Sequence, residues 1–599
     1  MHRRSRLASL FLMLAVTAAS LGLLASNAVF AGGNPLPVAT VNNATGLIGE
    51  TVTLTVTFDN ASTGTGDQTG YGPYIDLFLD TTGPDGAPSF DGLVTTGIRA
   101  TYLDQPLPGM EIIPITGPTY VHPLTGQTLS VPGYGTRFQN GDTIVVLTLP
   151  FGSFTNTQPP APINVTLRIS NLADLGTPLP VTAVAGFRYG ADPLDNPGAD
   201  PPLRQTTPSD ADVTPTLWTL TKTYLGPEDE TATGRNYPRR YRLDVDIADG
   251  QPVTNLQITD VLTNSMRITG NTASQMSARL YNTPGVPTEV FTLANLSGTA
   301  TPAAPGGTLI YSFGNKTGVQ GIDASFEFEF YIPRDTSAAT PTVPQGTDST
   351  FANNTGSSSA AWTPIDTRDP PTSITITLPP DAHTLQQHSL ATQKSVTPVD
   401  RNTLNPTGGA IIPGSTLLRY DIDFQVSDYF AVQNVYLEDI ISDGQRLFVR
   451  TSGGPSTVPT LQVENAYVTG ASPTRTTIAA APFSGTGVIT YEQRFTTRGT
   501  PLSDPTSPPS SPVFTILTPA PSPSGTTYVR FDISRELIAR GVSGRLVGGD
   551  IPNAGGAPQN NNSPLFGPTR GRITFYTEVK DEFSDDFPSG DRSVDSWIF

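Results

Sequence analysis

The 599-residue chain holds four lysines, Lys222, Lys316, Lys394 and Lys580. Two of them stand at matching places. Lys222, in LTKTYLGPED, precedes the block RYRLDVDIAD that starts at Arg240; Lys394, in ATQKSVTPVD, precedes RYDIDFQVSD at Arg419. Eleven residues past the closing Asp of each block comes another, Asp260 in NLQITDVL and Asp439 in NVYLEDII. A lysine and an aspartate sealed together in an apolar core could do chemistry. Burial disfavours the ammonium, so the amine becomes a nucleophile, and it keeps the carboxyl protonated, so it can polarise a carbonyl. The plainer use of the same two residues is an ion pair, or a lysine lying along a sheet edge.

Other chemistry has little material. There is no Cys, which removes disulfides and thiolate metal sites, and the only histidines are His2, His122, His383 and His388. No nucleophile elbow, phosphate loop, zinc-protease helix or dinucleotide glycine motif occurs. Asp581, Asp585, Asp586 and Asp591 form an acidic turn region that could hold Ca²⁺ through oxygen ligands. It lacks the EF-hand spacing, and acidic runs are usually solvated. DPLDNPGAD at 192–200 reads the same way. No other cofactor is expected. The net charge of -18 repels phosphate, which argues against nucleic acid as a partner.

The elements that must position the lysines read as all-β. TVTLTVTF from Thr51, INVTLRI from Ile163 and FEFEF from Phe326 alternate apolar and polar residues, the period of half-buried strands. Turn clusters such as Pro84-Asp85-Gly86 and Asn140-Gly141-Asp142 separate them. With Gly 57 and Pro 58, long helices are disfavoured; only Arg535–Arg540 reads as a helical turn. Tandem antiparallel sandwiches follow.

Residues 1–31 read as an export signal: Arg3, Arg4 and Arg6, an apolar run from Leu7 to Leu24, and Val29-Phe30-Ala31 for cleavage. No later run is long enough to span a bilayer as a helix. The repeat sets the plan: 32–215 a first β-sandwich, 216–385 the first repeat, 386–599 the second, whose abrupt ending suggests truncation. The stretches 206–216 and 364–380 read as connectors, and the Pro/Ser-rich 499–512 and 519–525 as exposed loops.

The order of Lys opener, Tyr-containing strand and [IL]-x-D-x-L strand resembles the DUF11-type repeats of large bacterial surface proteins. It also resembles the D2-like domains of fimbrial proteins that form intramolecular isopeptide bonds. The resemblance covers about 216–599 and implies immunoglobulin-like or CnaA-like sandwiches. It further implies a late strand carrying Asn. Phe351-Ala352-Asn353-Asn354 offers this in the first repeat; Gly590-Asp591-Arg592-Ser593-Val594-Asp595 offers Asp in the second. The implied cross-link joins Lys222 to Asn353 or Asn354 with Asp260 as catalytic acid, and more weakly Lys394 with Asp439 and Asp595. The expected protein is a secreted or cell-surface structural or adhesive stalk, not an enzyme. Its partners would be a surface ligand, envelope proteins or glycans. The competing expectation is a carbohydrate-binding or carbohydrate-active module on sandwich spacers. It would need paired carboxylates in a cleft of the first domain, such as Asp76 and Asp80, four apart in YIDLFLD and so on one strand face.

Overall fold

The computed structural model describes residues 34–580 apart from 65–67, 87–89, 192–200, 227–231, 345–346, 348, 380–382, 410, 443, 469–473, 494–514, 518–526 and 550–566. Three two-sheet β-sandwiches follow one another along the chain. In the first, one sheet runs in the order Pro37–Val41, Thr51–Asn60, Ala161–Ile169, Leu93–Tyr102. The facing sheet runs Ala44–Leu47, Ser209–Thr216, Leu179–Phe187, Pro73–Leu79, Thr143–Thr148, Gly109–Pro114. The alternation does what its period demands. Val52, Leu54, Val56 and Phe58 are buried, while Thr51 and Thr53 face solvent. Each such side chain contributes roughly 1.5–3 kcal/mol on burial.

Pro73–Leu79 breaks the alternation and is buried throughout. Ile75, Leu77 and Leu79 enter the main core. Phe78 on the opposite face joins a second cluster with Ile115, Tyr120, Val131 and Phe138. An excursion from the far end of the sheet thus covers the face that a half-buried strand would leave wet. Tyr74 and Phe78 are core residues; Tyr71 is only partly covered.

The second sandwich pairs Trp218–Tyr224, Arg239–Ile247, Ala324–Tyr331, Met276–Thr283 and Val286–Glu289 in one sheet. Its other sheet runs Leu296–Ser297, Gly307–Thr317, Pro252–Leu262, Ser349–Trp362, Thr372–Thr377. The third repeats the plan, with Leu390–Asp400, Thr416–Val426, Arg570–Val579, Thr460–Val468 and Thr474–Pro482 against Tyr436–Ile441, Thr527–Asp532, Ile489–Gln493 and Thr515–Ile516. The two repeats agree to the residue. Lys222 pairs with Leu243 and Tyr241 with Phe328; Lys394 pairs with Ile422 and Tyr420 with Phe575. Asn255 and Asn434, at equivalent positions, both take φ of 57°, a left-handed turn that Asn tolerates better than most residues. The Arg240 and Arg419 blocks therefore occupy the same strand of the same topology.

Both expected connectors contain strands. Ser209–Thr216 is internal to the first sandwich, hydrogen-bonded to Leu179–Phe187 and, in parallel, to Ala44–Leu47. Thr372–Thr377 is the edge strand of the second, antiparallel to Ser357–Trp362. Pro215 stands in the parallel pairing opposite Gly46, Pro371 precedes Thr372, and T-S-I-T-I-T alternates enough to pair. The helical turn is the helix Ile533–Ala539, capped by Asp532, whose carboxylate accepts from Arg535 N at 2.9 Å.

Candidate functional site

In the second sandwich three strands bring Lys222, Asp260 and Asn354 together between the sheets. Lys222 lies on the first strand, facing inward; its side chain is 1% exposed and that of Asp260 is 0%. Lys222 Nζ donates to Asp260 Oδ2 in a short contact, and to the carbonyl of Thr355 at 3.3 Å. The ammonium sits 4.4 Å from the centroid of the Tyr241 ring, which itself stacks on Phe330. Asp260 faces Gly356 across the pair formed by Pro252–Leu262 and Ser349–Trp362, and this register brings Asn354 alongside it. Asn354 Nδ2 donates to Asp260 Oδ1 at 3.2 Å and to Val261 O at 3.0 Å, and its Oδ1 is buried with no hydrogen-bond partner.

Gly356 has a steric reason. A Cβ there would meet Leu243 Cδ2 at 2.4 Å and Thr259 O at 3.1 Å, so a side chain would have to push the Leu243 methyl aside from over the lysine. Burial pushes the Lys222 ammonium below its ordinary value, opposed by the Asp260 charge. Burial pushes the Asp260 carboxyl up, opposed by Lys222. Both shifts favour the neutral forms: a free amine beside a protonated acid. The arrangement can transfer a proton from lysine to aspartate and offers the amine a carboxamide held on the same aspartate.

Asn353 is turned the other way. It is exposed and accepts from the Thr384 hydroxyl at 3.1 Å.

The third sandwich holds a partial copy. Lys394 Nζ donates to Asp439 Oδ1 at 2.6 Å and lies 4.4 Å from the Tyr420 ring centroid. The lysine side chain is 38% exposed. Burial raises the Asp439 carboxyl against the opposing charge of Lys394, and Asp439 Oδ2 is buried without a donor. Asp595 lies outside the described residues, as do Asp581, Asp585, Asp586, Asp591, the 192–200 stretch and residues 1–31.

Two further charged groupings escaped the sequence. Lys316, left without a role there, is 3% exposed and pairs with buried Asp323 at 3.2 Å, its Nζ also reaching the Tyr281 carbonyl at 2.6 Å. Asp76 lies on the covered face of its strand. It accepts from Tyr120 Oη at 2.8 Å and from His122 Nε2 at 2.9 Å, and pairs with Arg204 Nη2 at 3.0 Å. The His122 Nδ1 accepts from the backbone of Leu124 and Thr125, both at 3.2 Å, so the proton directed at Asp76 is on Nε2. An Asp in the middle of PYIDLFL was the available signal for a buried partner. Asp80 lies past the end of this strand and accepts from Gly83 N at 2.7 Å. Asp76 is thus spent on a closed network, which does not suit a catalytic pair with Asp80. Trp218 and Trp362 are buried, their indoles donating to Ser358 Oγ at 2.8 Å and Gln251 Oε1 at 3.1 Å. Trp597 lies outside the described residues.

Among the described residues no helix is long and apolar enough to cross a membrane. No family model matches the chain, the DUF11 type included, and no curated protein matches it. Solved structures do. The Streptococcus agalactiae AgI/II polypeptide BspA C-terminal domain is 8% identical at a TM-score of 0.20, covering 59% of this chain and 99% of that one. The collagen adhesin of S. aureus is 12% identical at 0.17, covering 59% and 94%. The major pilin SpaD of Corynebacterium diphtheriae is 11% identical at 0.18, covering 66% and 74%. At such identities and scores these likenesses carry no argument about this chain, and the reading of the site rests on its own geometry.

Proposed function

We propose that the chain is an extracellular structural or adhesive protein of bacteria, built from tandem sandwiches, whose middle unit locks itself with a Lys222–Asn354 amide. The observation that supports this reading is the sealed convergence of Lys222, Asp260 and Asn354 on three different strands. In the reaction Lys222 passes a proton to Asp260, and the free amine attacks Cγ of Asn354. A C–N bond forms, Asp260 gives that proton to Nδ2 and takes the second proton from the Lys222 nitrogen, and the Cγ–Nδ2 bond breaks as ammonia leaves, so that Asp260 ends protonated beside a neutral amide. No oxidant or cofactor enters, and packing supplies the alignment that speeds such a step. The bond would tie the first strand of the sandwich to a late one, in a chain with no Cys to tie it otherwise.

Intact mass of the purified full chain tests the cross-link. Loss of one ammonia, absent in Asn354→Ala, is expected; an unshifted mass overturns it. Protease shaving of intact cells tests the location. Release of peptides from this chain is expected, and their confinement to the cytoplasmic fraction counts against a surface role.

A further inference from the structure

We infer that Asp85, Asp91 and Asp174 form a divalent-cation site, of chemistry suited to Ca²⁺, where the first sandwich meets the second. One carboxylate oxygen from each lies within 4.8 Å of those of the other two. Oxygens bound to one Ca²⁺ at about 2.3–2.6 Å stand no more than about 4.6–5.2 Å apart, so this spacing fits. Hard oxygen donors alone, with no nitrogen or sulfur, select the same class of ion.

The second observation is the state of Asp91. Its side chain is fully buried, and neither of its carboxylate oxygens accepts a hydrogen bond of ordinary geometry, the backbone amides of Asp85 and Asp91 being the nearest donors. Its ion-pair partner, Arg368 Nη2, stands 3.9 Å from Oδ2. Arg368 is committed elsewhere, its Nε 2.8 Å from Asp366 Oδ1 and its Nη1 3.0 Å from Asp85 Oδ2. Asp174 Oδ1 is likewise buried without a donor. One guanidinium therefore faces three carboxylates, those of Asp85, Asp91 and Asp366. Buried carboxylates are normally paired or bound to a metal.

The backbone is shaped for the arrangement. Gly83 has φ of 66°, and a Cβ there would meet Asp91 Oδ1 at 2.3 Å. Asp85 and Asp91 come from the loop between Pro73–Leu79 and Leu93–Tyr102, and Asp174 from the loop between Ala161–Ile169 and Leu179–Phe187. Arg368 comes from the second sandwich, between Ser349–Trp362 and Thr372–Thr377. An ion here joins two loops of one sandwich and neutralises the junction with the next. The site is separate from Asp581–Asp591 and does not depend on the cross-link.

Calorimetric titration of the EDTA-treated full chain with CaCl₂ to about 10 mM, above the affinity range of extracellular Ca²⁺ modules, tests it. The expected result is binding that weakens more than about tenfold in Asp91→Asn and in Asp174→Asn, a loss that even outer partners of a metal can produce. Asp585→Asn/Asp586→Asn should leave it unchanged. Without metal, Asp91→Asn should melt at or above the wild-type temperature, because it removes an unneutralised charge; added Ca²⁺ should raise the wild type only. Asp85→Asn, at an exposed position, gives the same readout if either buried variant fails to fold. Absence of binding, equal affinity in these variants, or a Ca²⁺ response that follows Asp585 and Asp586 overturns the site.

Discussion

Lys222 and Lys394 share a register, a tyrosine beneath the ammonium at 4.4 Å and an aspartate acceptor, yet one pair is sealed and the other half open. The difference lies in a third strand. In the second sandwich Pro252–Leu262 is flanked on both sides, and Ser349–Trp362 brings Asn354 and closes over the pair. In the third, Tyr436–Ile441 pairs only with Thr527–Asp532 among the described residues. The comparison separates two requirements. The Lys–Tyr hairpin places the amine; the far strand dries it and supplies the electrophile. Only a dry pair has reason to exchange its proton, because in water both groups stay ionised.

The largest expected break in this comparison is Lys222→Ala. It leaves Asp260 buried and unpaired, and should cost about 3–5 kcal/mol by denaturant unfolding as well as abolish ammonia loss. Next comes Asp260→Asn, which keeps the shape but removes the proton carrier. Its mass should show no ammonia loss, with a stability cost of about 1–3 kcal/mol. Asn353→Ala, on the exposed face, should leave the mass shift intact. Lys394→Ala should cost less, about 1–2 kcal/mol, since the lysine is half open to water although Asp439 still loses its partner. A cost equal to that of Lys222→Ala would show the two pairs to be alike after all.

The smallest effect concerns pH at the base of the second sandwich. Asp246 is held up to about 6, by burial first and then by Asp323 and Asp249. Glu50 of the first sandwich faces the same group, and Lys316 is already paired with Asp323. A carboxyl raised in the folded state favours folding below its unfolded value, and that contribution is lost as pH rises through the folded value. The loss therefore falls between about pH 4 and 6. Asp246→Asn should raise the melting temperature by a few degrees near neutral pH and leave it unchanged near pH 4, as scanning calorimetry would show.

Much of the repeat was legible because pairing fixes side chains to faces. The equal offsets from Arg240 to Asp260 and from Arg419 to Asp439 could only persist if both strands kept the same register. The choice between Asn353 and Asn354 was not legible. Phe351 is the large apolar residue of FANN and would be expected inside, which would turn Asn353 inward with it. Instead Phe351 is 68% exposed and Ala352 and Asn354 face the core. Gly356 on the same inner face already meets Leu243, so small residues line that face. Asp76 and the Asp85, Asp91, Asp174 group were hidden for another reason. Their environments are made by segments remote in sequence, and no local period records such meetings.

The positions of Lys222 and Asn354 also set how the molecule would stretch. They are 132 positions apart, and the amide proposed between them would carry tension straight from the edge strand of one sheet to an inner strand of the other. The intervening polypeptide, roughly 450 Å if drawn out at about 3.4 Å per residue, would never pay out. A tether with such a short circuit lengthens only through its unlocked neighbours, so an optical-trap trace of this protein would be missing one whole sandwich's worth of slack.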